Sequence, residues 1–229
     1  MARIARVVLP GIPHHVTQRG NRRQQTFFNE EDYQVYMRLL TQSCSQYGTE
    51  VWAWCLMPNH VHLVLVPSSV DGLRASLAEA HRRYTRRINF REGWRGHLWQ
   101  ERFHSFAMDE SYLLATVRYV ELNPVKARLV ERPQDWPWSS ARARLGQVVD
   151  GLTKLEPLQQ LVHDWTAFWG TGTDDQLTSI RLHTRTGRPL GSDTFVEKVE
   201  RTVGRVIRRE KPGPKPIRRQ DDEQRQLDV

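Results

Sequence analysis

Residues 50–66 read EVWAWCLMPNHVHLVLV, two apolar runs at 50–57 and 60–66 parted by Pro58 and Asn59. Runs of this length, rich in branched and aromatic residues around a two-residue break, predict an antiparallel strand pair. In the second strand, side chains two apart share a face, so His60 and His62 stand side by side while Val61 and Leu63 face the other way. Two imidazoles so placed can share one ion, although for an arbitrary His-X-His a polar sheet surface is the plainer reading. Here the pair begins a strand beside an uninterrupted apolar run, where imidazoles without partners are costly to bury.

Outward from this pair the pattern builds a fold. Residues 14–18 alternate briefly and end at RGNRR, a turn signal, which predicts a first strand. Tyr33, Met37, Leu40, Cys44 and Tyr47 recur at steps of three or four, which predicts a helix over 30–47 stopped by Gly48. A second helix fits 72–89, with Leu73, Leu77, Tyr84 and Ile88 on one side and Arg82, Arg83, Arg86 and Arg87 largely outside that stripe. The stretch HLWQERFHSFAM, 97–108, supplies a fourth strand. The order β-α-β-β-α-β is that of an α+β, ferredoxin-like domain, an antiparallel sheet with helices on one face. A third helix follows from Glu110 to about Leu122, closed by Pro124.

Beyond DWPWSS the pattern thins. Leu155, Leu158, Leu161 and Trp165 suggest one more helix, and Phe195, Val199, Val203 and Ile207 another within 192–209. Residues 201–219 hold eight Lys or Arg and one Glu, with KPGPKP among them, the composition of a flexible basic extension. The chain therefore divides into a main domain over 1–145, a helical extension over 146–209 and a tail over 210–229.

The 229 residues suffice for a sizeable core, and a net charge of +8 with a pI near 9.9 favours a polyanionic partner, by default nucleic acid. Cys44 and Cys55 have neither zinc-site nor disulfide-framework spacing and read as reduced core residues. The opening MARIARVVLPGIPHH is too broken by proline for a signal peptide, and no apolar run approaches the roughly 20 residues that span a bilayer. A soluble cytoplasmic protein with no membrane partner is expected.

Two histidines do not complete a site, and the third helix offers what they lack. Tyr119 and Asn123 are four residues apart and stack on one helical face, while Leu113, Val117 and Val120 form an apolar one. A tyrosine is a poor nucleophile at its ordinary pKa near 10, but a metal ion on a scissile phosphate stabilises the developing charge and orients attack. The plainer readings are a half-buried helix aromatic for Tyr119 and a helix-terminal residue before Pro124 for Asn123.

The motifs NHVHLV, RYVELNPVKA, HHVTQRGNRR and GHLWQERFHSF together resemble the single-tyrosine His-hydrophobic-His (HUH) transposases, and more narrowly the REP-associated tyrosine transposases, over roughly residues 1–145. The resemblance implies a metal-dependent single-stranded DNA endonuclease and strand transferase, cutting beside palindromic hairpins through a 5′-phosphotyrosine link. It makes Tyr119 the nucleophile, His60 and His62 the metal pair and Asn123 the third ligand, while Tyr112 matches nothing catalytic. It implies Mg²⁺ or Mn²⁺ and no nucleotide cofactor. Softness alone would suit two imidazoles to zinc or nickel, whereas an octahedral set completed by amide, phosphate and water oxygens is reasonable for Mn²⁺ and tolerable for Mg²⁺. The REP-associated branch is expected to act as a monomer, the insertion-sequence relatives as dimers.

For DNA, Arg19, Asn21, Arg22 and Arg23 flank Gly20 in a basic loop that the resemblance assigns to reading a tetranucleotide beside the hairpin; a solvated loop is the alternative. Arg82, Arg83, Arg86 and Arg87 are placed to meet hairpin phosphates, or simply form a solvated helix face. Trp99 and Phe103, amid Arg95 and Arg102, have the aromatic and basic mix on which bases stack, with core packing the stronger reading for at least one of them. Trp136 and Trp138 are expected to pack against the catalytic domain. The rival function is a non-catalytic protein that binds structured DNA or RNA, its histidines structural, although VHLVLV lacks the aromatic RNP pattern of an RNA-binding sheet.

Overall fold

The computed structural model describes residues 4–208, so the basic and acidic tail expected over 210–229 lies outside the described residues. Strands β1 (His14–Arg19), β2 (Thr49–Met57), β3 (His60–Pro67) and β4 (His104–Ala107) form one antiparallel sheet in the order β2-β3-β1-β4. Helix α1 (Glu30–Gln46) joins β1 to β2, and α2 (Gly72–Glu92) joins β3 to β4. This is the expected β-α-β-β-α-β order. The two helices pack on one sheet face around Val16, Leu40, Leu63, Leu65 and Leu77, each less than 1% exposed.

Local chemistry sets the ends of these elements. The Asn29 side chain accepts from the Asp32 amide to start α1, with Glu30, Glu31 and Asp32 in the positive first turn. Gly93, at φ 65°, closes α2 in the left-handed conformation that a residue with a Cβ resists. The turn at Pro58 and Asn59 is tied down as well. The Pro58 carbonyl accepts from the Thr26 and Phe27 amides, and the Asn59 carbonyl accepts from the Gly20 amide. At Gly20 a Cβ would lie 2.3 Å from the Gln24 carbonyl oxygen, so this crossing of two loops requires glycine.

A bulge in β2 between Val51 and Ala53 shifts its register, leaving Val51, Trp54 and Leu56 toward α1 and α2 while Ala53, Cys55 and Met57 take the opposite face. Helix α3 (Glu110–Glu121) covers that second face through Leu113, Val117 and Val120, and after Leu122 the chain makes one more turn, α4 (Asn123–Lys126). Pro124 thus begins a turn as well as ending α3, because proline is tolerated where an amide would be unpaired anyway. Short helices α5 (Ala141–Arg144), α6 (Glu156–Gln159) and α7 (Trp165–Trp169) follow, then α8 (Asp174–Thr186) and α9 (Asp193–Val203).

Four differences from the sequence reading stand out. The fourth strand is only His104–Ala107, because Glu101 adopts φ 55° and interrupts extended backbone upstream of it. The helix expected around 155–165 is two short pieces, since Asp164 caps a fresh start by accepting from the Ala167 amide. Helix α8 has no counterpart in the reading, since it carries few apolar residues, Leu177, Ile180 and Leu182, and within it only Ile180 and Thr186 are buried. The last helix ends earlier than expected, at Gly204 with φ 65°. Cys44 and Cys55 are free and buried, Trp138 stacks on Tyr33 at 4.7 Å, and Trp136 donates to the Leu56 carbonyl, as their packing role required. Among the described residues no helix is long and apolar enough to cross a membrane.

One buried charge fastens α3. Glu121 is fully buried and accepts from Ser140 Oγ at 2.7 Å, Arg144 Nε at 3.1 Å and Trp169 Nε1 at 2.9 Å, while Arg144 also donates to the Trp52 carbonyl. Removing one partner of such a pair leaves an uncompensated buried charge, a loss of about 3–5 kcal/mol. Arg144→Ala is therefore expected to lower the unfolding free energy by about that amount in urea titrations. A change below about 1 kcal/mol, the range of an exposed pair, would contradict this account.

Candidate active site

Strands β1 and β3 pair with Arg19 opposite His60, Thr17 opposite His62 and His15 opposite Val64, which puts these side chains on the face covered by α3. There they meet a cleft of about 530 Å³ whose walls include His60, His62, Tyr119 and Asn123. The four residues that sequence reasoning grouped from distant segments are thus brought together.

Each is held by a specific partner. His60 Nδ1 contacts Asn59 Oδ1 at 2.6 Å, and because an amide oxygen only accepts, Nδ1 carries the proton and Nε2 keeps its lone pair. Asn59 is itself fixed by donating Nδ2 to the Arg23 carbonyl at 3.0 Å. His62 Nδ1 lies 3.1 Å from Nε2 of His15. The Tyr119 ring stands edge-on to His62, with centroids 5.4 Å apart and planes at 90°. Asn123 Nδ2 donates to the Tyr119 carbonyl at 2.7 Å, which leaves its Oδ1 as the uncommitted end of the amide.

Burial dominates the ionisation of the site. It pushes His60 down to about 4, helped by the nearby Arg19 charge, and His15 down to about 3; His62 is held well below the ordinary imidazole range by burial and then by the charges of its neighbours. All three rings are neutral at pH 7, the state in which an imidazole can bind a metal. Burial likewise raises the Tyr119 phenol, opposed by the charge and hydrogen bonding of Arg181, a hydrogen bond from Asn123 and the charge of Arg19. Lys126 places its ammonium 5.3 Å from the Tyr119 ring centroid. The pocket therefore holds a neutral phenol amid cations, an arrangement that favours phenolate once a reaction draws its proton away.

The other residues singled out from sequence are scattered. Arg19 and Arg23 line the cleft, whereas Asn21 and Arg22 sit in the adjoining turn, Arg22 at φ 52° and exposed. Arg82, Arg83, Arg86 and Arg87 belong to α2, which packs on the sheet face opposite the histidine pair. Arg82 pairs with Glu79, Arg83 donates to Gln42 and Arg87 pairs with Glu31. Arg82, Trp99, Arg102 and Phe103 line a second cleft, of about 440 Å³, which shares Gln18 and Glu101 with the first. The packing favoured from sequence for at least one of Trp99 and Phe103 is seen for both. They are only 8% and 7% exposed, built into the α1–α2 core, with Trp99 against His81 and Phe103 beneath the Arg6 guanidinium. Sequence reasoning missed His15, Arg181, Thr184 and Arg185. His15 shares a strand face with Thr17, a signal available from alternation, but its partner on β3 depends on register; the other three lie on α8.

With the geometry in place, the comparisons with known proteins decide the family. The family model described as IS200-like transposase matches residues 10–123. Over that segment the chain belongs to the IS200-like transposases. It is 31% identical over 110 residues to a Haemophilus influenzae protein named among the REP-associated tyrosine transposases, spanning 43% of this chain and 62% of that one. It is 26% identical over 121 residues to the REP-associated tyrosine transposase of Escherichia coli, covering 52% of this chain and 70% of the relative. Among solved structures, a REP-associated tyrosine transposase bound to a REP hairpin shares the fold, with a TM-score of 0.55 and 24% identity over 66% of this chain and 90% of that one. The motif resemblance is borne out. The α8 helix, which closes one side of the cleft, lies beyond the matched residues of the IS200-like family.

The buried histidines also make stability depend on pH. His14 and His60 are lowered to about 4, and His15 and His81 to about 3, from 6.5. Between those limits the unfolded chain binds more protons than the fold, so stability is complete above 6.5 and falls as pH drops toward 4. Chemical denaturation should show that loss, and the His60 ring resonances should titrate with a midpoint of about 4. A midpoint at the ordinary 6.5 would show that the ring is solvated instead.

Proposed function

We propose that this chain is a metal-dependent single-stranded DNA endonuclease and strand transferase, a transposase that cuts beside palindromic hairpin DNA through a 5′-phosphotyrosine intermediate. The observation that carries the reading is the convergence of His60, His62, Tyr119 and Asn123 on one cleft. Two such cleft residues come from a strand and two from a helical segment, so chance packing of a polar sheet end is a poor account of them.

The donor set fits a hard divalent ion completed by substrate. Among the described residues no protein hydrogen bond engages Nε2 of His60 or Oδ1 of Asn123, and His62 has only Nδ1 engaged. No cluster of three His, Cys, Asp or Glu side chains suited to a metal occurs among the described residues, so phosphate and water oxygens would complete the shell. When bound, Mg²⁺ or Mn²⁺ would supply Lewis-acid stabilisation of charge on the scissile phosphate.

The chain's own groups do the rest. Tyr119 Oη attacks phosphorus and loses its proton to solvent, the new tyrosyl–phosphorus bond forms, and the bond to the 3′-oxygen breaks. The 3′-oxygen leaves as a hydroxyl after taking up a proton. The phosphotyrosine conserves the energy of the broken bond, so a 3′-hydroxyl can reverse the step without a nucleotide cofactor. Arg19 and Arg181, both on the cleft, favour the phenolate and face the place where phosphate charge gathers. The basic loop at Arg19–Arg23 and the second cleft at Arg82 and Arg102 are the proposed tracks for single-stranded DNA and the hairpin, with a monomer as the acting species.

Tyr119→Phe should abolish the covalent adduct with a hairpin oligonucleotide carrying a single-stranded flank while leaving binding intact. Persisting cleavage by that variant would remove the nucleophile. Hairpin binding with no cleavage by wild-type protein in Mn²⁺ would favour the binding-protein reading. Arg181→Ala should slow adduct formation on the order of 10²-fold on a phosphodiester. The loss should shrink on a methylphosphonate, which lacks the charge that Arg181 would meet; equal losses on both substrates would make Arg181 merely structural.

A further inference from the structure

Helix α8 reaches the cleft from outside the matched family segment, and there it contacts His15, the hydrogen-bond partner of His62. Thr184 Oγ1 donates its single hydrogen to the Ile180 carbonyl at 2.8 Å. Toward His15 Nδ1, 3.3 Å away, that hydroxyl can then only accept, so His15 is protonated on Nδ1. A neutral imidazole has one proton, which makes His15 Nε2 an acceptor. The hydrogen bond at 3.1 Å between His15 Nε2 and His62 Nδ1 therefore takes its proton from His62. The geometry agrees, because the two rings are coplanar within 4° with centroids 5.4 Å apart, which lays the N–H of one along the lone pair of the other.

We infer that Thr184 and His15 are positioning residues that lock His62 in the tautomer with a proton on Nδ1 and a lone pair on Nε2, the form that can ligate a metal. The inference rests on the metal-site reading above and extends it to a helix that the reading does not need. His60 reaches the same tautomer by a local route, through its neighbour Asn59. His62 has no such neighbour, since Val61 and Leu63 face the other side of the strand. Its orientation is instead passed from α8 through β1, the carboxylate-like role of a histidine's outer partner being filled here by a second imidazole. A helix far along the chain is thereby coupled to the metal site without touching the ion.

The test uses full-length protein and has readouts apart from catalysis. In metal-free, ¹⁵N-histidine-labelled protein, long-range proton–nitrogen correlation should show His62 Nδ1 as the protonated nitrogen and Nε2 as the bare one. Thr184→Val, which keeps the shape and removes the acceptor, should mix the His62 tautomers. His15→Phe should weaken Mn²⁺ binding, read by calorimetry, by about 10–100-fold. His15→Gln, whose amide can both accept from His62 and donate to Thr184, should recover most of that affinity. A bare Nδ1 on wild-type His62, or His15→Phe binding Mn²⁺ as wild type does, overturns the inference. Should His15→Phe fail to fold, the tautomer spectra of wild type and Thr184→Val decide it. His62→Ala separates the two levels: unchanged Mn²⁺ binding defeats the metal-site reading itself, while its loss alongside unaffected His15 variants defeats only the relay.

Discussion

The antiparallel register of β1 against β3 is the constraint on which the site depends. It sets Arg19, Thr17 and His15 against His60, His62 and Val64 on a single face. A slip of one residue would turn His15 and the histidine pair to opposite sides of the sheet and press an arginine into the α1–α2 core. The register is pinned from both sides: Val16, Leu63 and Leu65 must face the core, and the crossing at Gly20 holds the β1 exit against the Pro58–Asn59 turn. Core packing and the placement of the polar groups are thus one requirement.

Burying three imidazoles at the end of such a face is expensive unless they remain neutral and hydrogen-bonded. The fold meets that condition with Asn59 for His60, His15 for His62 and Thr184 for His15. Across the cleft, Glu121 solves a harder problem, since a buried carboxylate needs full compensation. Three donors from the segments that follow α3 provide it. These segments also cap the sheet edges, Leu190 pairing beside β4 at Met108 and Thr153 beside β2 at Val51. The edges that an open four-stranded sheet would expose are covered by its own chain.

Much of this was legible in sequence where a strong period coincided with a turn signal. The apolar runs around Pro58 and Asn59, the stripe from Tyr33 to Cys44 and the four-residue step from Tyr119 to Asn123 all appear as read, and they suffice for the sheet order and for the four residues that meet in the candidate cleft. What escaped depended on information without a period. Trp99 and Phe103 look like a nucleic-acid surface in composition, but burial is decided by the course of a loop that leaves β geometry at Glu101. Helix α8 holds few apolar residues and buries little, although it carries Arg181 and Thr184 to the cleft. His15 was visible as a strand residue, and only the pairing of β1 with β3 turned it into a neighbour of His62.

The anchoring of Glu121 has a mechanical consequence. This carboxylate lies between Tyr119 and Asn123 in sequence, on the same short run of helix, and cannot leave its pocket without exposing Arg144 and itself to an unfavourable interior. Tyr119 is accordingly mounted on a fixed post beside His60 and His62. In the proposed reaction, which first cuts and then rejoins, something must travel to bring a new 3′-end to Tyr119. With the tyrosine helix clamped, the proposal leaves that travel to the nucleic acid: the strand would be the moving part and the protein the anvil.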